Sequence, residues 1–172
     1  MSQALATTDS QYDLTATHPG EDLEDFVTFF IADQMFGIPV LKVQDILQTE
    51  HIASIPLAPA EVKGSINLRG RIVTVIDVRV RLGLEPRKAK PESEGEKGMG
   101  VTVEHGHDLY TLLVDRIGDV MGLSGDVFER SPATLDPKWR EFSIGVYRLE
   151  KSLLVVLDIE RLLNLPRVDG RD

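Results

Sequence analysis

GSINLRGRIVTVIDVRVRLGL, residues 64–84, and GVYRLEKSLLVVLDIERLLNL, residues 145–165, are two renderings of one pattern. Laid over each other without gaps, they pair Leu68 with Leu149, Ile72 with Leu153, Val75 with Val156, Ile76 with Leu157 and Leu82 with Leu163. In each, an aspartate (Asp77, Asp158) stands thirteen positions after a glycine (Gly64, Gly145). Upstream, MFGIPVLKVQDIL from Met35 lies over LYTLLVDRIGDVM from Leu109, placing Phe36 on Tyr110, Ile38 on Leu112 and Asp45 on Asp119. Apolar matches alone are weak, because short strands resemble one another. An acid repeated at fixed spacing inside two apolar runs is not a propensity effect, so the chain reads as two related halves.

Strand side chains alternate faces, so residues two apart share one. In Arg71–Arg81 the even positions Ile72, Thr74, Ile76, Val78 and Val80 are expected to form a core face, and the odd positions a mixed, partly wet one. Leu153, Val155, Leu157 and Ile159 fall under the same core face in the second copy. Short Val/Ile/Leu/Phe runs punctuated by Gly and Pro predict many short strands and a mainly β fold. Short helical connectors are expected at three places. Asp136-Pro137 is an N-cap followed by proline at the first helical position. Pro59 to Gly64 is a turn closed by glycine. Asp158 to Asn164 is a final helix stopped before Pro166. Asp77 and Asp158 are read as acceptors for backbone N–H groups at strand ends. With Gly64, Gly70 and Gly145 they make up a structural motif.

The chain has 172 residues, no cysteine and a net charge of −9. That length bounds the answer at one or two domains. Residues 1–24 are polar and aperiodic and are read as a disordered tail, residues 85–98 as an exposed charged loop, and residues 167–172 as a second tail. Between them lies one domain, residues 25–166, made of two intertwined halves at roughly 25–84 and 99–165. No signal peptide or membrane span is visible, and a cytosolic location is expected. The acidic balance argues against nucleic acid, which needs a basic surface to release counterions, and against direct attachment to anionic membranes.

No catalytic or cofactor constellation emerges. His105-Gly106-His107 offers two imidazoles where metal sites need three or four ligands, so turn chemistry is the better reading. Gly98-Met99-Gly100 lacks the Lys-Ser/Thr ending of a phosphate-binding loop, and Ser124-Gly125 lacks a nucleophile-elbow context. Arg69, Arg71, Arg79 and Arg81 could form a basic patch, but solvated arginines paired weakly with nearby acids are commoner. Arg71 and Arg81 are read that way.

At GIPVLKVQDIL (residues 37–47), KGSINLRGRIVTVIDVRVRLGL (63–84) and LLVVLDIERLL (153–163) the chain resembles the chemotaxis coupling protein CheW family, over about residues 26–165. The most specific part is Asn67-Leu68-Arg69-Gly70 followed by Ile76-Asp77-Val78-Arg79. The resemblance implies two five-stranded, SH3-like β-barrel subdomains on a common apolar core. It implies a non-catalytic adaptor, binding the regulatory domain of a CheA-type histidine kinase and the cytoplasmic helical tip of chemoreceptors at the inner membrane face. It places receptor-binding roles on Val43, Asp45 and Arg69; Asp45 stands where the family usually has Glu, one methylene shorter. A CheW-like scaffold serving surface motility or second-messenger output remains open on the residues alone. A small-barrel nucleic-acid binder is disfavoured by low aromatic content and acidic charge.

Overall fold

β-branched and aromatic residues fill eleven strands among the described residues, which in this computed structural model are 23–49, 51–85, 98–130 and 135–165. Both expected tails, apart from Leu23 and Glu24, and the interior of the 85–98 loop lie outside them. The strands are β1 (Leu23–Ile31), β2 (Gln34–Pro39), β3 (Val43–Thr49), β4 (Val62–Leu68), β5 (Arg71–Asp77), β6 (Gly98–His105), β7 (Asp108–Val114), β8 (Arg116–Ser124), β9 (Phe128–Glu129), β10 (Ser143–Arg148) and β11 (Leu153–Leu157). Among the same residues three one-turn helices connect them: α1 (Val78–Arg81), α2 (Pro137–Arg140) and α3 (Ile159–Leu162). The mainly β expectation holds. None of these helices is long and apolar enough to cross a membrane.

The strands form two sheets, in the orders β8-β1-β2-β11-β10-β9 and β3-β6-β7-β5-β4. Under the repeat, β1, β2 and β3 correspond to β6, β7 and β8, and β4 and β5 to β10 and β11. Substituting one set for the other converts the first order, without its edge strand β9, into the second. Each sheet is rolled. In the second, Leu47 of edge strand β3 shares an apolar cluster with Ile66 of the opposite edge strand β4. In the first, Leu123 of β8 shares an apolar cluster with Tyr147 of β10 and Phe128 of β9. These are the two small barrels.

The barrels do not follow the repeat boundary. Strands β3 to β7, consecutive along the chain, form the second barrel as an insertion, and the first is made by β1 and β2 together with β8 to β11. A 3-10 turn at Val40–Lys42 and the single residue Asp115 carry the chain across. The division near residues 84 and 99 therefore separates the copies of the sequence repeat, and the chain crosses between barrels elsewhere. Each barrel has its own small interior cluster. The largest cluster lies between them and draws Phe29, Phe36, Val155 and Leu157 from one barrel and Ile76, Val101, Val103 and Leu112 from the other.

The strand-period reading of Arg71–Arg81 needs correcting in two ways. Ile72 is 72% exposed, while Val73 and Val75 are fully buried. Val73 and Val75 fill the interior of the second barrel as Ile76 faces the shared core, so β5 is buried on both sides and shows no amphipathic alternation. The strand also stops at Asp77. Its carboxylate Oδ1 accepts from the amides of Arg79 (3.0 Å) and Val80 (3.4 Å), capping α1. Asp158 does the same for Glu160 (3.0 Å) and Arg161 (3.3 Å) at α3, and Asp136 caps α2 through Lys138 (2.9 Å).

The helical turn expected at Pro59–Gly64 is not formed. A turn closed by Val62 N–H to Pro59 O (2.9 Å) leads straight into β4, and Gly64 sits inside that strand opposite Val75. Gly64 and Gly145 occupy corresponding breaks in register, after Val62 and after Ser143. Each is crowded by a third segment. A Cβ on Gly64 would lie 2.2 Å from the Ala53 carbonyl oxygen, and one on Gly145 2.3 Å from the Phe128 ring. Glycine at fixed spacing from the capping aspartate is the repeat's packing requirement.

Arg81 also departs from its expectation. With α1 in place of strand, its side chain turns onto the end of α3 and is only 13% exposed. It donates to the carbonyls of Leu162 (2.7 Å), Arg161 (3.0 Å) and Asn164 (2.9 Å), lies 4.7 Å from the Phe142 ring centre, and has Glu61 at 3.8 Å. Helix ends leave carbonyls without intrahelical partners, and a guanidinium satisfies several at once. Arg79 is likewise engaged, with Asp115 at 3.1 Å. A shared basic patch is not built from these two.

Two substitutions check this account. Gly145→Ala should destabilise the chain by about 1–3 kcal/mol through overpacking, whereas Gly125→Ala, whose Cβ meets nothing within 4 Å, should be nearly neutral in the same denaturation assay. Arg81→Met should cost about 1–3 kcal/mol by stranding carbonyl groups; a neutral result would mean that water replaces the guanidinium fully.

Candidate functional site

Val43 and Asp45 share β3 while Arg69 lies far along the chain, and the rolled second sheet determines which of them meet. Val43 pairs with Val103 and Asp45 with Thr102, so β3 carries an extra residue between them. Without that bulge the two would share a face. With it, Val43 is half-buried against the shared core, while Asp45 keeps the parity of Leu47, whose side chain enters the barrel interior. Asp45 therefore sits at the rim of the second barrel, its side chain 24% exposed.

Arg69 arrives from the opposite edge. Leu68 pairs with Arg71, leaving Arg69 and Gly70 as a two-residue hairpin loop with φ of +54° and +86°. Two successive positive φ values mark the type I′ turn, whose twist matches that of paired strands. Gly70 takes this conformation without a steric penalty, and its amide donates to Asn67 Oδ1 at 2.9 Å. Arg69, a non-glycine residue at positive φ, is held there by the turn. Its side chain is 78% exposed and its Nη2 lies 3.0 Å from Asp45 Oδ2. The other carboxylate oxygen of Asp45 accepts from the Ile46 amide at 2.9 Å. One ion pair thus joins the two edges of a rolled sheet, with the guanidinium outermost.

Apolar surface flanks the pair. Ile46 follows Asp45 on β3, and Ile72 follows the hairpin on β5; both are exposed. Ile72 is the residue that alternation misplaced. Its cross-strand neighbour is the exposed Asn67, and a polar partner beside a tight turn was the available sign that this face is wet.

The second copy of the repeat does not rebuild this site. Asp119 aligns with Asp45, but Glu150 stands at the position of Arg69 and Lys151 at that of Gly70. The β10–β11 connection is correspondingly longer, closing at Arg148 and Leu153. With an acid at both positions, no equivalent pair forms. The copies agree in the buried glycine and capping aspartate and differ at the hairpin tip.

Other polar clusters belong to the architecture. His105 and Asp108 close the β6–β7 hairpin, with Gly106 at φ +67°. Gly98 opens β6, and the Ser124 hydroxyl accepts from the Asp126 amide at 3.2 Å. Among the described residues no group of three or more His, Asp or Glu side chains could hold a metal ion.

Comparison with known proteins fits this geometry. The CheW-like domain family matches residues 25–167. The chemotaxis protein CheW of Treponema pallidum is 32% identical over 139 residues, covering 80% of this chain and 81% of that one. The CheW of Klebsiella aerogenes is 29% identical over 141 residues, covering 82% of each. In fold, the crystal structure of the scaffolding protein TtCheW from Thermoanaerobacter tengcongensis superposes with a TM-score of 0.72, at 24% identity, over 87% of this chain and 97% of that one. A double barrel in which one barrel is inserted into the other, and a match across nearly all the described residues, lead to one assignment: the chain belongs to the CheW-like family.

Proposed function

We propose that this chain is a non-catalytic adaptor that couples the helical tip of a chemoreceptor to the regulatory domain of a CheA-type histidine kinase. The observation carrying this reading is the Asp45–Arg69 pair. It is ordered from both strands' backbones, exposed on its cationic side, flanked by Ile46 and Ile72, and absent from the second copy. A helical hairpin presents an apolar stripe edged by charge. An exposed guanidinium beside two exposed isoleucines complements such a surface, with the isoleucines supplying contact area and Arg69 setting register. Val43 adds the exposed part of its side chain one bulge away. The closed pairing of Asp45 with Arg69 holds the guanidinium in place before the partner arrives, which lowers the ordering cost of binding.

As an adaptor the chain works at the inner membrane face through its receptors, and the kinase engages a separate surface. The double barrel suits this, since one core holds two surfaces in fixed relation.

The test uses the full chain with a soluble receptor-tip hairpin and a kinase regulatory domain in calorimetry. Arg69→Glu should weaken hairpin binding at least about tenfold. Kinase binding should stay intact, and unfolding stability should change by no more than about 1 kcal/mol, as exposed pairs contribute little. The exchanged pair Asp45→Arg with Arg69→Asp should restore stability without restoring hairpin binding. Unchanged hairpin binding in Arg69→Glu would overturn the assignment, and a variant unfolded by circular dichroism would make Arg69 structural.

A further inference from the structure

The two barrels differ inside as well as at their tips. The interior of the second is aliphatic, built on Ile66, Val73, Val75 and Leu113. The first has aromatic side chains where the repeat places small or aliphatic ones: Tyr147 aligns with Ile66, and Phe26 with Gly100. Phe128 joins them. Tyr147 sits between the other two, its ring centre 5.5 Å from that of Phe26 and 5.1 Å from that of Phe128, both tilted. These rings do not fill the barrel to its end. An open-mouthed pocket of about 290 Å³ remains, walled by the three rings with Val156 and Ile144 and bordered by Glu24 at the start of β1. That volume is near the lower end for small-ligand sites, which run from about 300 Å³.

Among the described residues of this lining, Glu24 and Tyr147 carry the polar side chains. An anion would face a carboxylate across apolar walls with no cation among those residues to offset it. A neutral apolar guest would cover the walls but make no use of the Glu24 carboxylate, which stays exposed at the mouth. A cation on a short apolar stem meets both demands, with its stem on Val156 and Ile144, its charge at Glu24, and the aromatic faces adding cation–π attraction. Burial, and then the charge of Glu24, raise the Tyr147 hydroxyl above its ordinary pKa of 10.0, so it stays neutral and adds no second negative charge at neutral pH.

We infer that the open end of the first barrel is a binding site for a primary ammonium group on an apolar stem the size of a butyl chain or a single phenyl ring. The site is formed by Phe26, Phe128, Tyr147 and Glu24, and it lies on the other barrel from the Asp45–Arg69 pair. Such a group could be carried by a free amine or by a lysine of a partner chain, and the two are separable by experiment.

The full chain, labelled with ¹⁵N, is titrated in parallel with n-butylammonium, phenethylammonium, n-butanol, n-butyrate and a lysine blocked at both ends. Saturable shifts at Ile144, Tyr147 and Val156 are expected with the cations and not with butyrate. Glu24→Gln, at an exposed strand start, should weaken cation binding about fivefold, the worth of one exposed ion pair. Tyr147→Phe, which keeps the ring, should retain the response to the cations. Tighter binding of the blocked lysine than of the free amines assigns the site to a partner's lysine, and the reverse order to a small amine. Butanol binding as well as butylammonium, cation shifts unaffected by Glu24→Gln, or no shifts in this pocket would each overturn the inference.

Discussion

The structure depends on one hydrophobic constraint: neither barrel buries enough by itself. Each interior cluster has four buried residues, whereas the cluster between the barrels has nineteen. Small domains bury a lower fraction of their surface than large ones and are correspondingly marginal. Here two small barrels are made into one larger body by burying strands on both faces. That is why β5 and β11 read as nearly continuous apolar runs, and why inserting one barrel within the other closes the assembly. Arg81 reinforces the junction. Its guanidinium leaves the first copy of the repeat and caps the helix that ends the second.

A shared core also explains which features the two copies retain. Gly64 and Gly145 are held by crowding from a third segment, and Asp77 and Asp158 by the amides of a one-turn helix that dips into the common core. Hairpin tips and barrel ends carry no such obligation. There the copies have diverged, with Arg69-Gly70 against Glu150-Lys151 at the tips, and Phe26 and Tyr147 against Gly100 and Ile66 inside. Related halves with unlike surfaces are what an adaptor joining different partners needs.

Much of this was legible in the residues. The repeat, the β class, and the Asp136-Pro137 and Asp158 helix starts all rest on local chemistry that tertiary contacts do not override. Arg71–Arg81 misled because alternation assumes one wet face, and the double barrel removes it. The repeat itself held the correction, since the segment aligned with Val78–Arg81 begins a helix at Ile159. Gly64 passed for a helix stop because a crowded strand glycine and a C-cap glycine look alike without the neighbour that crowds them. The barrel boundaries were hidden for a different reason: sequence similarity marks copies, while strand pairing depends on where the chain crosses over. Asp45 and Arg69 were visible singly, but their pairing required the sheet to roll, and Ile72 was concealed by its apolar character. The aromatic pocket had no local signature at all, because its residues are scattered over β1, β2, β9, β10, β11 and the turn before β9.

Conserved architecture with divergent surfaces is tested most directly by hydrogen–deuterium exchange of the full chain with and without a receptor-tip hairpin. New protection is expected at residues 45–47 and 67–72 alone, with the corresponding segments 119–121 and 148–153 unchanged. Equal protection of both copies, or protection only in the second, would contradict it.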